Sequence, residues 1–508
     1  MTSSSAAIVA DGSSSSNIAH WLVDRAAELP EAPAIKQAGQ ELSFARLEAA
    51  SARAATDLAG LGVQAGDRVA LIMPNVAYFP IVYYAILRLG AAVVPMNPLL
   101  KSGEIAYVWK DADIKVAAVF ATFAEEASLA AAETGTTVRV VAPGVYDDLL
   151  AGLEPTRAVT PRDASDTAVI LYTSGTTGRP KGAELSHANI STNVHTVLDT
   201  LIPMGPGDVI FGGLPLFHSF GQTVAMNTAI ASGACLTLLA RFDPVEALRI
   251  VTSDRVTVFM GVPSMYVALL NTPQDPAVDT STLRLAASGG SSLPVEVLHG
   301  VEKRFGFRLL EGYGLSETSP VASFNHPDQP SRAGSIGTPI RGCEFRLADE
   351  NDADVGDEQI GEICIRGENV MKGYLNRPED TANAIRNGWF HSGDLARRDA
   401  DGFYYIVDRV KDMIIRNGFN VYPREIEEVL YAHPAVQEAA VVGVPHPQYG
   451  EEIAALVTLA DGASATEQEL IDFVKSKIAA YKYPRIVRFG IIPKGPTGKI
   501  LKREITIS

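Results

Sequence analysis

A chain of 508 residues with 47% apolar side chains can bury a large core, and its length corresponds to roughly three or four domain-sized units. Its 59 acidic residues outnumber the 43 basic ones, and the net charge of −16 argues against non-specific binding to nucleic acid. The three cysteines, Cys235, Cys343 and Cys364, are too few and too scattered for a disulfide framework or a zinc site, which points to a reducing cytoplasm.

Residues 1–17 are Ser- and Ala-rich and lack the basic start of a secretory signal, so they read as a flexible tail. From Ser43, an N-cap, apolar positions recur at helical spacing (Leu47, Ala50, Ala54, Leu58, Leu61) up to a stop at Gly62. A buried strand at 69–73, a helix at about 77–89 and a strand at 91–95 predict a right-handed parallel unit. The most membrane-like run, 79–96, is broken by Arg88 and Gly90, so no transmembrane span is predicted. Short apolar runs at 209–211, 234–239, 256–260 and 283–287, with helical patterns between them, continue a layered α/β body.

Beyond about residue 335, glycines punctuate short alternating runs such as Glu362-Ile363-Cys364-Ile365-Arg366, which predicts a small antiparallel β unit. After Asp408-Arg409-Val410-Lys411 the texture changes again: helices at 425–433 and 467–480 and strands at 439–444 and 453–459 predict a compact α+β domain. Residues 410–508 hold 12 basic and 12 acidic side chains, so the whole acidic excess lies upstream. No acid stands between Phe473 and Arg503, where Lys475, Lys477, Lys482, Arg485, Arg488, Lys494, Lys499 and Lys502 do. That strip reads either as a face for a polyphosphate or as a solvated surface.

Five stretches carry chemistry. The first, Tyr172-Thr173-Ser174-Gly175-Thr176-Thr177-Gly178-Arg179-Pro180-Lys181-Gly182, follows the apolar run 168–171. Its glycines let the backbone approach an anion, its hydroxyls donate, and Lys181 adds a point charge, so it reads as a polyphosphate cradle. It is not a P-loop, because Pro180 precedes Lys181 and Gly182 follows it. In Glu311-Gly312-Tyr313-Gly314-Leu315-Ser316-Glu317-Thr318 an aromatic able to stack on a base precedes a hydroxyl and a carboxylate suited to Mg²⁺. Ser392-Gly393-Asp394 offers two acceptor oxygens for paired ribose hydroxyls, or an ordinary turn residue. Asp408-Arg409-Val410-Lys411, followed by Arg416-Asn417-Gly418, reads as a hinge beside a channel, and Pro493-Lys494-Gly495-Pro496-Thr497-Gly498-Lys499 presents a lysine on a Gly/Pro-rich loop near the C-terminus rather than on a solvated tail.

In this order, from about residue 20 to 503, these stretches resemble the adenylate-forming superfamily of acyl- and aryl-CoA synthetases, luciferases and peptide-synthetase adenylation domains. The resemblance implies a large N-terminal α/β domain (1–409) of layered subdomains with a small β-barrel-like subdomain at about 335–409. A small mobile α+β C-terminal domain (410–508) would carry the catalytic lysine. It implies ATP, Mg²⁺ and CoA as cofactor and co-substrates, a small-molecule carboxylic acid as substrate, no nucleic-acid partner, and either a monomer or a homodimer; a peripheral membrane contact stays open. Carried over by position, Thr173, Ser174, Gly175, Thr176, Thr177 and Lys181 would hold the ATP phosphates, and Gly290, Ser291 and Ser292 would lie beside adenine. Glu311, Gly312, Tyr313 and Gly314 would complete the base site, Ser316 would meet the α-phosphate, and Glu317 the Mg²⁺. Asp394 and Arg409 match a ribose-binding pair and Lys411 a pivot. Lys499 would be the lysine that neutralises the adenylation transition state. Asn417, Gly418 and Arg241 are the positions implied for CoA.

Pro215-Leu216-Phe217-His218-Ser219-Phe220-Gly221 looks most like the fatty-acyl-CoA ligases, with His218 orienting the carboxylate and Phe220, Pro263 and Gly289 walling the acyl pocket. The expectation is therefore an ATP-dependent, AMP-forming acid–thiol ligase for a medium- to long-chain fatty acid. An aryl-CoA ligase of 4-coumarate or benzoate type, or a stand-alone adenylation enzyme with another thiol acceptor, is the alternative.

Overall fold

The computed structural model describes residues 16–173, 179–495 and 498–507. The expected tail up to residue 15, and Ser174, Gly175, Thr176 and Thr177 of the cradle, lie outside the described residues.

Local sequence chemistry explains the first elements. Ser43 caps the helix Phe44–Gly60 by accepting from Arg46 N at 3.4 Å, which satisfies one of the donors a helix start leaves open. The apolar strand Arg68–Ile72 lies parallel to Ala92–Met96, in register Val69 with Val93, and the buried helix Tyr78–Arg88 crosses between them. Arg88, within that helix, is 1% exposed and lies 2.7 Å from Glu48, so its charge is paired rather than left in the core.

Two large sheets make the body. One has seven strands, with Lys181–Ser186, Thr167–Thr173, Ala92–Met96, Arg68–Ile72 and Val116–Phe120 as consecutive neighbours. The other has nine, in which Leu309–Gly314, Leu285–Ser288, Val258–Gly261, Val209–Gly212 and Cys235–Leu238 lie side by side. Antiparallel pairing replaces parallel pairing where chemistry-bearing loops leave the sheets. Thr167–Thr173 turns back into Lys181–Ser186, and Leu309–Gly314 into Val321–Phe324. A third sheet, entirely antiparallel, contains Cys343–Ala348, Gly361–Gly367, Trp389–Arg398 and Tyr404–Arg409.

Beyond Val410, the hairpin Ile414–Arg416 and Phe419–Val421 joins the long strands Val436–His446 and Gly450–Leu459 in a fourth sheet. The helix Pro423–Tyr431 and the helix Glu467–Lys475 pack on it around Ile426, Leu430, Leu470 and Val474. The latter ends at Lys475 rather than continuing to 480 as the sequence pattern predicts. Ile478, Tyr481 and Tyr483 then pack against the same core from irregular chain. No helix among the described residues is long and apolar enough to cross a membrane.

Candidate active site

The strand Leu309–Gly314 carries Tyr313 to the edge of the third sheet. There its hydroxyl donates to Asp394 Oδ2 at 2.7 Å. Arg409, directly opposite Asp394 in the antiparallel ladder, donates from Nε to the other oxygen at 2.7 Å. Burial, and then the Asp394 charge, push the Tyr313 phenol well above its ordinary range, while Asp394 raises the Arg409 guanidinium further. The turn is braced from below: Glu362 accepts from Gly393 N at 2.8 Å and faces His391 Nδ1 at 2.9 Å, and Ser392 Oγ donates to Ile363 O at 2.7 Å.

Thr173 and Lys181 face each other across an antiparallel pair, so the cradle is the connection of a hairpin. Thr173 Oγ1 donates to Glu317 Oε1 at 3.1 Å, and Tyr374 Oη donates to the same oxygen at 2.9 Å. Glu317 is 8% exposed, and among the described residues only hydroxyls are bonded to its carboxylate. A buried anion met by hydroxyls alone suits a hard, oxygen-seeking cation, so the donor set fits Mg²⁺. Lys181 Nζ lies 2.5 Å from Asp380 and 5.5 Å above the Tyr374 ring. Ser316 opens the short turn that carries Glu317.

On the acid side, His218 is half-buried, just ahead of the helical run Phe220–Asn227. Burial, and then the Lys499 charge, lower its imidazole to about 4, so it is neutral at physiological pH. A Cβ on Gly289 would stand 3.3 Å from the Phe220 ring and 3.5 Å from the Gly312 carbonyl, so these three meet at one wall. Pro263 starts the helix Pro263–Asn271, and Gly498 packs closely on Val262 and Ser264 beside it, where a Cβ would stand 3.0 Å from Val262 Cγ2 and crowd the Ser264 hydroxyl. That contact docks the C-terminal loop against the body.

Lys499 follows Gly498. The surrounding protein lowers its ammonium to about 8. Desolvation is the largest cause, Arg409 and Lys411 push the same way, and Asp394 opposes them. The residue is nevertheless exposed to water, which screens part of these effects. Lys499 thus acts electrostatically on both the Asp394–Arg409 pair and His218.

The remaining candidates lie apart or face elsewhere. Glu311 is 2% exposed; its carboxyl accepts from Leu293 N at 3.0 Å, and burial raises it to about 7 against the Arg424 charge. Gly290 and Ser291 are exposed on the loop before it, and Ser292 is half-buried. Gly312 and Gly314 lie on the strand with Tyr313, each pressed against Phe324 or Pro320. Lys411 is exposed. Asn417 and Gly418 are the two left-handed residues (φ +51° and +80°) of an exposed hairpin turn, the conformation an Asn-Gly pair favours. Arg241 is exposed after the strand Cys235–Leu238, and no contact among the described residues ties it to the cleft. Half of the basic strip is paired with acids: Lys482 with Glu425, Arg488 with Glu467, Lys494 with Glu438 and Lys502 with Glu427.

Residues 22–375 match the AMP-binding enzyme family, and residues 425–499 match the AMP-binding enzyme C-terminal domain. The chain belongs to the AMP-binding enzymes. It is 37% identical over 520 aligned positions to a long-chain-fatty-acid–CoA ligase of Bacillus subtilis, covering 95% of this chain and 93% of that one. It is 38% identical to a feruloyl-CoA synthase of an Amycolatopsis species, covering 96% and 97%. Among solved structures, ATP-bound MatB from Rhodopseudomonas palustris superposes with a TM-score of 0.90 at 35% identity, covering 96% of this chain and 98% of that one. The apo crystal structure of MatB superposes at 0.79, so the arrangement seen here is nearer that neighbour's ATP-bound form.

Three members of this constellation were not singled out from sequence: Glu362, Tyr374 and Asp380. Each acts on a partner far along the chain: Glu362 on Gly393, 31 residues away, Tyr374 on Glu317, 57 away, and Asp380 on Lys181, 199 away. No local pattern signals such pairs.

Proposed function

We infer that this AMP-binding enzyme is an acid–CoA ligase that joins a medium- to long-chain fatty acid to AMP and then passes the acyl group to CoA in the cytoplasm. The observation that carries the reading is the packing of Gly498 on Val262 and Ser264, which holds Lys499 where its charge acts on both the Asp394–Arg409 pair and His218, the two ends of the bond to be made.

In the first half-reaction a carboxylate oxygen attacks the α-phosphorus of ATP in line, and pyrophosphate leaves. Two anions must meet, so fixed positive charge at the cleft lowers the barrier. Lys499 supplies that charge. Neutral His218 orients the carboxylate by hydrogen bonding without competing for it as a cation. Asp394 exchanges its Tyr313 contact for ribose hydroxyls while Arg409 Nε holds its other oxygen in place. Thr173 and Glu317 would hold Mg²⁺, which when bound neutralises phosphate oxygens. In the second half-reaction the CoA sulfur attacks the acyl carbonyl and AMP leaves. The C-terminal unit, from about residue 410, turns about Lys411, withdraws Lys499 and brings the Asn417-Gly418 turn to the cleft.

A second reading, an aryl acid, has a specific observation in its favour. Ser219 Oγ, Gln222 Oε1 and Thr223 Oγ1, buried on the segment after His218, have no hydrogen-bond partner among the described residues. Polar substituents of an aromatic acid would satisfy such groups, as an alkyl chain would not. Acid-dependent ATP–pyrophosphate exchange across fatty acids of increasing length and across cinnamates and benzoates decides the matter. Faster exchange with fatty acids supports the first reading, and preference for cinnamates overturns it.

A further inference from the structure

Lys181 closes the hairpin whose connection is the phosphate cradle, yet in the structure its charge already has an anion. Its ammonium lies 2.5 Å from Asp380 Oδ1, with the two side chains 16% and 34% exposed. It also stands 5.5 Å above the face of Tyr374, whose hydroxyl is bonded to Glu317. Asp380 belongs to the helix Pro378–Ala384, and the segment ahead of that helix is pinned to the seven-stranded sheet. Tyr374 pairs with Ala183 and Leu375 N donates to Gly182 O at 2.8 Å. Further support comes from Arg377, which donates to Asp111 at 3.0 Å, while Asp111 also accepts from Tyr172 Oη at 2.7 Å. Asp380 is therefore held on a braced element, next to the lysine at which the cradle ends.

We propose that Asp380 sets how tightly this site holds ATP and pyrophosphate, by competing with their phosphate oxygens for Lys181. The inference rests on the cradle binding phosphate. Before a phosphate oxygen can bond Lys181, the Asp380 contact must open, and when pyrophosphate leaves, Asp380 takes the lysine back. The exchange trades one anion for another at the same ammonium, so it lowers affinity for both nucleotide and product without changing the chemistry at the α-phosphorus. Asp380 thus acts through Lys181 as a positioning residue and eases product release.

The test is the KM for ATP and the inhibition constant for inorganic pyrophosphate, measured in acid-dependent adenylate formation by the full-length protein. The variants are Asp380→Asn, Asp380→Ala, Lys181→Met and Lys181→Met/Asp380→Asn, with thermal unfolding recorded for each. A partly exposed ion pair corresponds to a tightening of about twofold to fivefold in both constants for Asp380→Asn and Asp380→Ala. In the Lys181→Met background Asp380→Asn is expected to change neither constant. Unchanged or weakened binding in both Asp380 variants overturns the proposal, as does an equal gain in the Lys181→Met background, which would mean a diffuse field rather than competition. If Lys181→Met alone leaves both constants unchanged, the phosphate reading of the cradle fails instead.

Discussion

The role proposed for Lys499 predicts that adenylation slows as pH rises. Its ammonium is lowered to about 8, chiefly by desolvation and then by Arg409. In the proposed mechanism the charged form is the one that helps the reaction. A lysine titrating at about 8 is about nine-tenths charged at pH 7, about half charged at pH 8 and about one-tenth charged at pH 9. Catalytic efficiency for adenylation should therefore fall about tenfold between pH 7 and 9, with the exposure of Lys499 to water moving the limb upward rather than downward. His218, lowered to about 4, is neutral across this range and adds no limb of its own. The assay is kcat/KM for ATP in acid-dependent pyrophosphate exchange between about pH 6 and 9.5 at constant ionic strength, which reports the free enzyme. Lys499→Ala should run about 100- to 1,000-fold slower, the cost of losing one preorganised charge, and should lose the alkaline limb. A limb that survives in Lys499→Ala, or a wild-type profile flat through about pH 9.5, would refute the assignment.

Replacing Asp394 by Ala leaves Arg409 and Tyr313 without their shared acceptor. We expect a loss of about 1.5–3 kcal/mol in thermal or denaturant unfolding and a KM for ATP raised at least about tenfold. Glu311, buried and raised to about 7 from 4.5, binds a proton more tightly folded than unfolded. Its stabilising contribution is complete below about pH 4.5 and is lost as pH rises through about 7, a change of up to about 3 kcal/mol. Glu311→Gln should remove that dependence and stabilise the protein at about pH 8, as read by denaturant midpoints against pH. Gly289→Leu places a side chain where Phe220 and the Gly312 carbonyl already meet. It should raise KM for the longest acids about tenfold while short acids are still activated, measured by exchange across a chain-length series.

The parallel unit 68–96 was legible because buried parallel strands read as unbroken apolar runs and its helix carries its own apolar face. Thr173, Glu317 and Asp394 were legible as types, since hydroxyls and carboxylates beside glycines advertise phosphate, metal and ribose chemistry. The strand Lys181–Ser186 was not foreseen, because it opens on a polar Lys-Gly pair that reads as loop until Thr167–Thr173 supplies its hydrogen bonds. Asn417-Gly418 carried a hairpin signal between Ile414-Ile415-Arg416 and Phe419-Asn420-Val421 that the sequence reading passed over. The basic run near the C-terminus looked like an open field in one dimension, but Glu425, Glu427, Glu438 and Glu467 fold back onto it. Charge pairing between elements distant in the chain is a property of the fold, and sequence spacing does not encode it.

The most direct test of the account is product identity. Protein, ATP, Mg²⁺, CoA and a fatty acid are incubated together, and nucleotides and thioesters are resolved by mass spectrometry. The account predicts AMP, pyrophosphate and acyl-CoA in equal amounts, all dependent on the acid, with acyl-AMP accumulating when CoA is left out. Release of ADP in place of AMP, or consumption of ATP without any acyl-CoA across both fatty and aryl acids, would contradict it.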